Sequence, residues 1–253
     1  MSGNEGVGPD ISRPDADAAY ADLLRRAGLD ENVLGVVLFG SRGFDAFVTA
    51  RSDFDVMVVV DREPKPWRTP HGSPVEVWPM DLAEFRDHAM PGSADAWNRP
   101  TFLGATVVLD KIDGEIRRIV ARKHSLGAGE AAELAAKSLD DYVNSLFRSL
   151  RSLEAGRDLE GRLDALESVS PLLTTAFALE GRVRPFNKWL RHELAARPLG
   201  IPRLVDLVDA IAATPTVDLQ RTMFRLMELA ARAAGHGRVI DAWEPDVAWL
   251  RGD

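Results

Sequence analysis

The stretch Val36-Val37-Leu38-Phe39-Gly40-Ser41-Arg42, followed by Asp53-Phe54-Asp55-Val56-Met57-Val58-Val59-Val60, predicts two strands connected through a glycine-serine turn. Side chains two residues apart on a strand point to the same face, so Asp53 and Asp55 project together. Two carboxylates at this spacing suit Mg²⁺, which prefers oxygen ligands and keeps waters and substrate phosphates in its shell. Gly40 lets the backbone approach a ligand closely, and the amides after it can face an anion at a helix start. The stretch therefore predicts a metal site beside a phosphate site.

The pattern resembles the nucleotidyltransferase superfamily of the DNA polymerase beta type, in which Gly-Gly or Gly-Ser precedes an Asp-x-Asp/Glu pair by about ten residues. Phe39-Gly40-Ser41 and Asp53-Phe54-Asp55-Val56 match that motif. In this interpretation Asp53 and Asp55 hold the metal, while Gly40, Ser41 and Arg42 contact a nucleotide. The alternative is an ordinary turn followed by two solvated acids. Two acids on one face repel each other without a cation, which favours the metal site.

A third carboxylate is expected on a neighbouring strand, because the resemblance implies one more acid that serves as metal ligand and base. Glu76 is the best match, since an acid inside the apolar stretch Val75–Trp78 is costly unless it is paired or metal-bound. Its alternative is an edge strand on which Glu76 faces solvent. Asp61 and Asp81 are weaker candidates, because each lies at the end of a predicted element, where acids commonly form caps and turns.

Composition excludes several classes of protein. The chain has 253 residues and no cysteine, which excludes disulfides, thiolate zinc sites and cysteine nucleophiles. Its net charge of −8 disfavours a long polyanion such as nucleic acid as a partner. No apolar stretch approaches the roughly 20 residues of a membrane span, and the polar start does not resemble a signal peptide. We therefore expect a cytoplasmic protein that binds neither nucleic acid nor membrane.

The hydrophobic pattern predicts an α+β fold in which an N-terminal mixed sheet flanked by helices precedes an all-α helical bundle. Apolar stretches predict strands, and amphipathic stretches predict helices between them, up to about residue 126. Beyond that point, Leu139, Val143, Leu146 and Leu150 repeat at helical spacing, and no convincing strand follows. The predicted limits are a disordered tail at 1–14, a nucleotidyltransferase catalytic domain at 15–126 and a helical domain that binds acceptor and nucleotide at 127–253. The predicted strands are 33–39, 52–61, 75–78 and 105–109.

A basic cluster lies in the helical half, where Arg182, Arg184, Lys188 and Arg191 occur without an intervening acid. Such a cluster can hold phosphates, although a solvated surface is the ordinary alternative. The stretch 184–190 resembles the helical domain of bacterial antibiotic-type nucleotidyltransferases, which closes over the sheet domain. That resemblance implies a nucleotide contact for Lys188.

These observations predict an enzyme that uses Mg²⁺ to transfer a nucleoside monophosphate, such as AMP, from ATP or another nucleoside triphosphate to a hydroxyl group of a small acceptor. Pyrophosphate would be released. The resemblance points to an aminoglycoside or lincosamide antibiotic as the acceptor, and so to antibiotic resistance. Transfer to a protein or a tRNA, and a non-catalytic antitoxin-type regulatory partner, are the alternatives. The sequence does not indicate an oligomeric state.

Overall fold

The structure, a computed structural model, describes residues 13–49 and 52–253. The chain divides into two units, Met1–His124 and Ser125–Asp253. This division lies close to the predicted limit at residue 127, while the catalytic and acceptor-binding roles given to the two sides stay a prediction. The predicted tail at 1–14 lies outside the described residues except for its last two, which belong to the first helix.

The first unit contains a four-stranded sheet with helices around it. The strands are β1 (Val33–Phe39), β2 (Phe54–Val60), β3 (Val75–Asp81) and β4 (Thr106–Asp110). The helices are α1 (Arg13–Leu29), α2 (Gly40–Gly43), α3 (Leu82–Asp87) and α4 (Glu115–His124), with 3₁₀ segments at Lys65–Trp67 and Ala96–Gly104. All four predicted strands are present, and β1 has its predicted limits.

The sheet is mixed, with strand order β3-β2-β1-β4. Strand β2 is central and pairs antiparallel with β1 and parallel with β3. Asp55 is consequently the register partner of Phe39 on one side and of Glu76 on the other. Register partners on neighbouring strands share a face of the sheet, so this pairing brings Asp55 and Glu76 side by side.

The two faces of β2 are buried under different helices. Val56, Val58 and Val60 pack in a cluster with residues of α1, whereas Met57 and Val59 pack with residues of α3 and α4. All five side chains are buried, and each contributes about 1.5–3 kcal/mol when it leaves water. Because both faces are buried, each residue of β2 is held on one particular face of the sheet. Asp53 and Asp55 therefore share the face of Met57 and Val59.

The second unit is helical, as the spacing of its apolar residues predicts. Its helices are α5 (Ala128–Glu154), α6 (Asp158–Ala178), α7 (Leu190–Ala196), α8 (Leu204–Ala213), α9 (Val217–Ala233), α10 (Gly237–Asp241) and α11 (Val247–Arg251). Helices α5 and α6 pack closely at Gly161, which has no side chain. A Cβ atom at this position would overlap the side chain of Leu153. The Ser149 hydroxyl donates to the Gly161 carbonyl at 2.7 Å across this contact. The α+β fold class is therefore confirmed.

Asp81 caps a helix, as its place at the end of a predicted element indicates, whereas two short helices differ from the prediction. Helix α3 begins after Asp81, whose carboxylate accepts a hydrogen bond from the Glu84 amide at 2.8 Å and so caps the helix. Helices α10 and α11 were not predicted, because they are too short to show a helical repeat. Within the described residues, no helix combines the length and the apolar character needed to cross a membrane.

Candidate metal and nucleotide site

Three carboxylates meet at one end of the central strand. Asp53 immediately precedes β2, Asp55 is its second residue, and Glu76 is the second residue of β3. One carboxylate oxygen from each residue lies within 4.8 Å of the other two. All three residues are partly buried. The structure thus brings together the three acids that the sequence indicated as metal ligands.

The donor set fits a hard divalent cation. An ion such as Mg²⁺, with ligand distances of about 2.1 Å, holds its oxygen ligands about 3 to 4 Å apart. The three oxygens lie within 4.8 Å of one another, a spacing that is compatible with a shared cation. Without a cation, three carboxylates so close together repel one another. Their arrangement is therefore one that bound Mg²⁺ would stabilise.

Gly40 makes room for the central carboxylate. Its backbone has φ +68°, in the left-handed region that glycine adopts readily. A Cβ atom built on Gly40 would overlap the carboxylate of Asp55. Two independent requirements, backbone conformation and space, therefore exclude a side chain here. The predicted role of Gly40 in nucleotide binding stays a prediction, whereas its contact with Asp55 is direct.

Ser41 is the second residue of α2, a helix of four residues that begins at Gly40. It is partly buried, and its carbonyl accepts a hydrogen bond from the Ala46 amide at 3.2 Å. A helix this short does not by itself form an anion site, so the predicted contact between Ser41 and a nucleotide phosphate stays a prediction.

Arg42 holds the backbone that leads into β2. Its guanidinium donates to the Ser52 carbonyl at 2.9 and 3.2 Å and to the Asp53 carbonyl at 3.2 Å. It also lies over the ring of Phe54, 3.9 Å from the ring centroid, and forms an ion pair with Asp17 at 3.4 Å. Only 10% of the side chain is exposed. Arg42 is thus in place to fix the position of Asp53, and its predicted nucleotide contact stays a prediction.

Glu76 has two partners in the turn that precedes β3. The Gly72 amide donates to Glu76 Oε1 at 2.8 Å, and His71 Nδ1 lies 2.9 Å from the same oxygen. The five histidines of the sequence form no spaced ligand pair, so the sequence carries no signal that assigns a function to His71. The nearest available signal was the sequence Pro70-His71-Gly72-Ser73, a turn composition just before the strand that carries Glu76.

The basic cluster of the helical unit is largely paired within that unit. Arg182 binds Glu193 at 2.9 Å, Arg191 pairs with Asp209 at 3.1 Å, and Arg184 donates to Asn187 and Ser170. Lys188 is exposed in a 3₁₀ segment, with its ammonium 4.8 Å from the ring centroid of Trp189. Its predicted contact with a nucleotide stays a prediction.

Comparison with known proteins gives little further information. No family model matches the chain, and no curated protein matches its sequence. Among solved structures, one similar chain is a nucleotidyltransferase-like protein from Exiguobacterium sibiricum 255-15. It is 11% identical, with a TM-score of 0.45 over 93% of this chain and 77% of that chain. A similarity this low supports no conclusion about activity, so the interpretation of the site depends on its own residues.

Proposed function

We propose that this protein is a Mg²⁺-dependent nucleotidyltransferase that transfers the nucleoside monophosphate of ATP, or of another nucleoside triphosphate, to a hydroxyl group of a small acceptor. One observation carries the proposal: Asp53, Asp55 and Glu76 offer oxygens within 4.8 Å of one another, beside a glycine whose missing side chain leaves space for Asp55. The motif resemblance of Gly40-Ser41 and Asp53-x-Asp55 supports the same activity.

The proposed reaction divides the work among these residues. Asp53, Asp55 and Glu76 would hold Mg²⁺, which when bound offsets the negative charge of the phosphates and of the transition state. The Gly40 and Ser41 segment would bind the β- and γ-phosphates. Glu76 would accept the proton of the acceptor hydroxyl. The acceptor oxygen would then form a bond to the α-phosphorus. At the same time, the bond between the α-phosphorus and the oxygen that bridges it to the β-phosphate would break, which releases pyrophosphate.

We propose an aminoglycoside or a lincosamide as the acceptor, and hence a role in antibiotic resistance. The net charge of −8 supports a small, hydroxylated and cationic or neutral acceptor over a tRNA end, because polyanions bind acidic proteins poorly. The resemblance of segment 184–190 to antibiotic-type enzymes supports the same acceptor class.

Pyrophosphate release tests the proposal. We expect the protein, with ATP and MgCl₂, to release pyrophosphate when aminoglycosides or lincosamides are added, and Asp53→Asn to abolish this release and weaken Mn²⁺ binding. Asp61→Asn is the matched control, since Asp61 follows the far end of β2 and is 57% exposed. Equal activity and equal Mn²⁺ affinity in wild type and Asp53→Asn would refute the metal assignment. If radiolabelled ATP labels a protein and no antibiotic causes pyrophosphate release, the acceptor is instead a protein.

A further inference from the structure

The outer side of helix α6 carries a row of exposed leucines. Among the large apolar side chains that are exposed in the described part of the chain, three lie on this helix: Leu159, Leu163 and Leu166, at 61%, 54% and 47%. They follow one another at intervals of four and three residues, so they lie on one side of the helix. The opposite side, which includes Gly161 and Ala165, is buried. Single exposed leucines are ordinary, whereas three in a row form a continuous apolar face, which is typical of an interaction surface.

The two edges of this leucine face carry opposite charges. Spacing of four and three residues places the leucines at the d and a positions of a heptad repeat, with Arg162 at a g position and Glu167 at the next e position. The exposed Arg162 donates to the Asp158 carbonyl at 3.2 Å and has no carboxylate partner among the described residues. Glu167 is 65% exposed and lies 2.9 Å from Arg148, which also pairs with Asp164 at 3.1 Å. Glu167 can therefore accept a further donor.

These charges favour one way of pairing α6 with α6 of a second copy of the chain. In a parallel pair, a g residue lies beside the e residue five positions later in the other helix, so Arg162 of each copy meets Glu167 of the other. In an antiparallel pair, like edges meet, and the two Arg162 side chains would repel each other. The leucine face from Leu159 to Leu166 covers only about 10 Å of helix. At its far end, the Arg184 guanidinium donates to the Ser170 hydroxyl at 2.7 Å. An interface of this size falls below the usual area of about 800 Å² per partner, so the pairing is expected to be weak.

We propose that the leucine face of α6 is a self-association surface, through which two copies of this chain form a weak, reversible, parallel dimer. The leucines of the two copies pack at its centre, and two symmetric pairs of Arg162 with Glu167 lie at its edges. Because the same surface is used by both copies, the contact closes on itself and does not propagate into a filament. The dimer does not involve the metal site, so it and the proposed activity can each fail without the other.

Sedimentation velocity of the full chain, between about 5 and 500 μM, tests whether the dimer forms. We expect the average sedimentation coefficient of the wild type to rise with concentration. Leu163→Glu should abolish this rise, because it places a charge in the centre of the contact. Its melting temperature should not change, since Leu163 is exposed. The control is Leu229→Glu, which alters a leucine of α9 that is 69% exposed and should associate as the wild type does. Monomer at every concentration, or equal association of wild type and Leu163→Glu, would overturn the dimer.

Charge reversal tests the parallel orientation. Arg162→Glu or Glu167→Arg alone should weaken the dimer about tenfold, because each replaces two attractive contacts per dimer with two repulsive ones. The two substitutions together should restore association, since the pairs are then re-formed with reversed charges.

A cross-link provides a second test of orientation, because the chain contains no cysteine. In a parallel pair, d residues of the two helices lie opposite each other, so Leu166→Cys should form a covalent dimer on mild oxidation. Leu229→Cys should not. A double charge variant that associates no better than the single variants, or equal cross-linking of Leu166→Cys and Leu229→Cys, would overturn the parallel pairing.

Discussion

Replacement of Gly40 by alanine is expected to damage both the fold and the site, for two reasons that can be separated. Alanine at φ +68° costs about 1–2 kcal/mol, because its Cβ crowds the backbone in the left-handed region. The same Cβ would overlap the Asp55 carboxylate, and overpacking of this kind costs about 1–3 kcal/mol. We therefore expect Gly40→Ala to lower the free energy of unfolding of the first unit by about 2–5 kcal/mol.

Gly92→Ala provides a matched control within the same unit. Gly92 also has a positive φ, of +86°, but a Cβ there would meet no atom within 4 Å. It should therefore show the backbone cost alone, about 1–2 kcal/mol. The difference between the two variants isolates the contact between residue 40 and Asp55.

Hydrogen exchange of the β1 and β2 amides, followed by mass spectrometry, measures the free energy of opening in this unit. A parallel Mn²⁺ titration measures the site. We expect Gly40→Ala to weaken Mn²⁺ affinity at least about tenfold, because Asp55 must move, and Gly92→Ala to leave it unchanged. Equal destabilisation by the two substitutions, together with unchanged Mn²⁺ affinity in both, would refute the contact as a feature of the site.

Three further substitutions test other parts of the structure. In Arg42→Lys, the lysine cannot bridge the Ser52 and Asp53 carbonyls or stack flat on the Phe54 ring. Urea denaturation should therefore show a free energy of unfolding lower by about 1–2 kcal/mol, and Mn²⁺ should bind more weakly. Glu228→Gln, which weakens the ion pairs with Arg232 and Arg251, should cost about 2 kcal/mol by the same assay. Burial lowers the pKa of Lys123 to about 8, below its ordinary 10.5, so folding favours its neutral form. Relative to Lys123→Met, the wild type should gain stability as pH rises from 8 to 10.5; a constant difference would contradict this.

The sequence was sufficient to predict the strands and the acids on them, because these depend on local pattern. The apolar stretch of β1 and the alternation of Asp53 and Asp55 are properties of a few neighbouring residues. The position of Glu76 beside Asp55 depends on the parallel pairing of β2 with β3, which local pattern does not specify. The resemblance predicted a third acid, and the register shows how it reaches the site.

The partners of the charged residues were less accessible to prediction. The Arg182 and Arg191 side chains are paired with Glu193 and Asp209, which follow them in sequence and reach them only through the folding of the helices. His71 was missed for a related reason: its contact with Glu76 depends on the turn at 70–73, and an exposed histidine in a loop shows no periodicity. Long-range pairing, rather than composition, determines which charges are available to a ligand.

The central location of β2 restricts which changes in chain length the site can tolerate. One residue inserted or deleted between 54 and 60 would exchange the two faces of the strand beyond that point. Side chains such as Val58 and Val60, which pack with α1, would then face α3 and α4. Residues inserted at 61–63, where the chain is exposed and precedes Trp67 and the turn at 70–73, would alter neither ladder. Natural or engineered variation in length is therefore expected at 61–63, where it preserves the spacing of the acids.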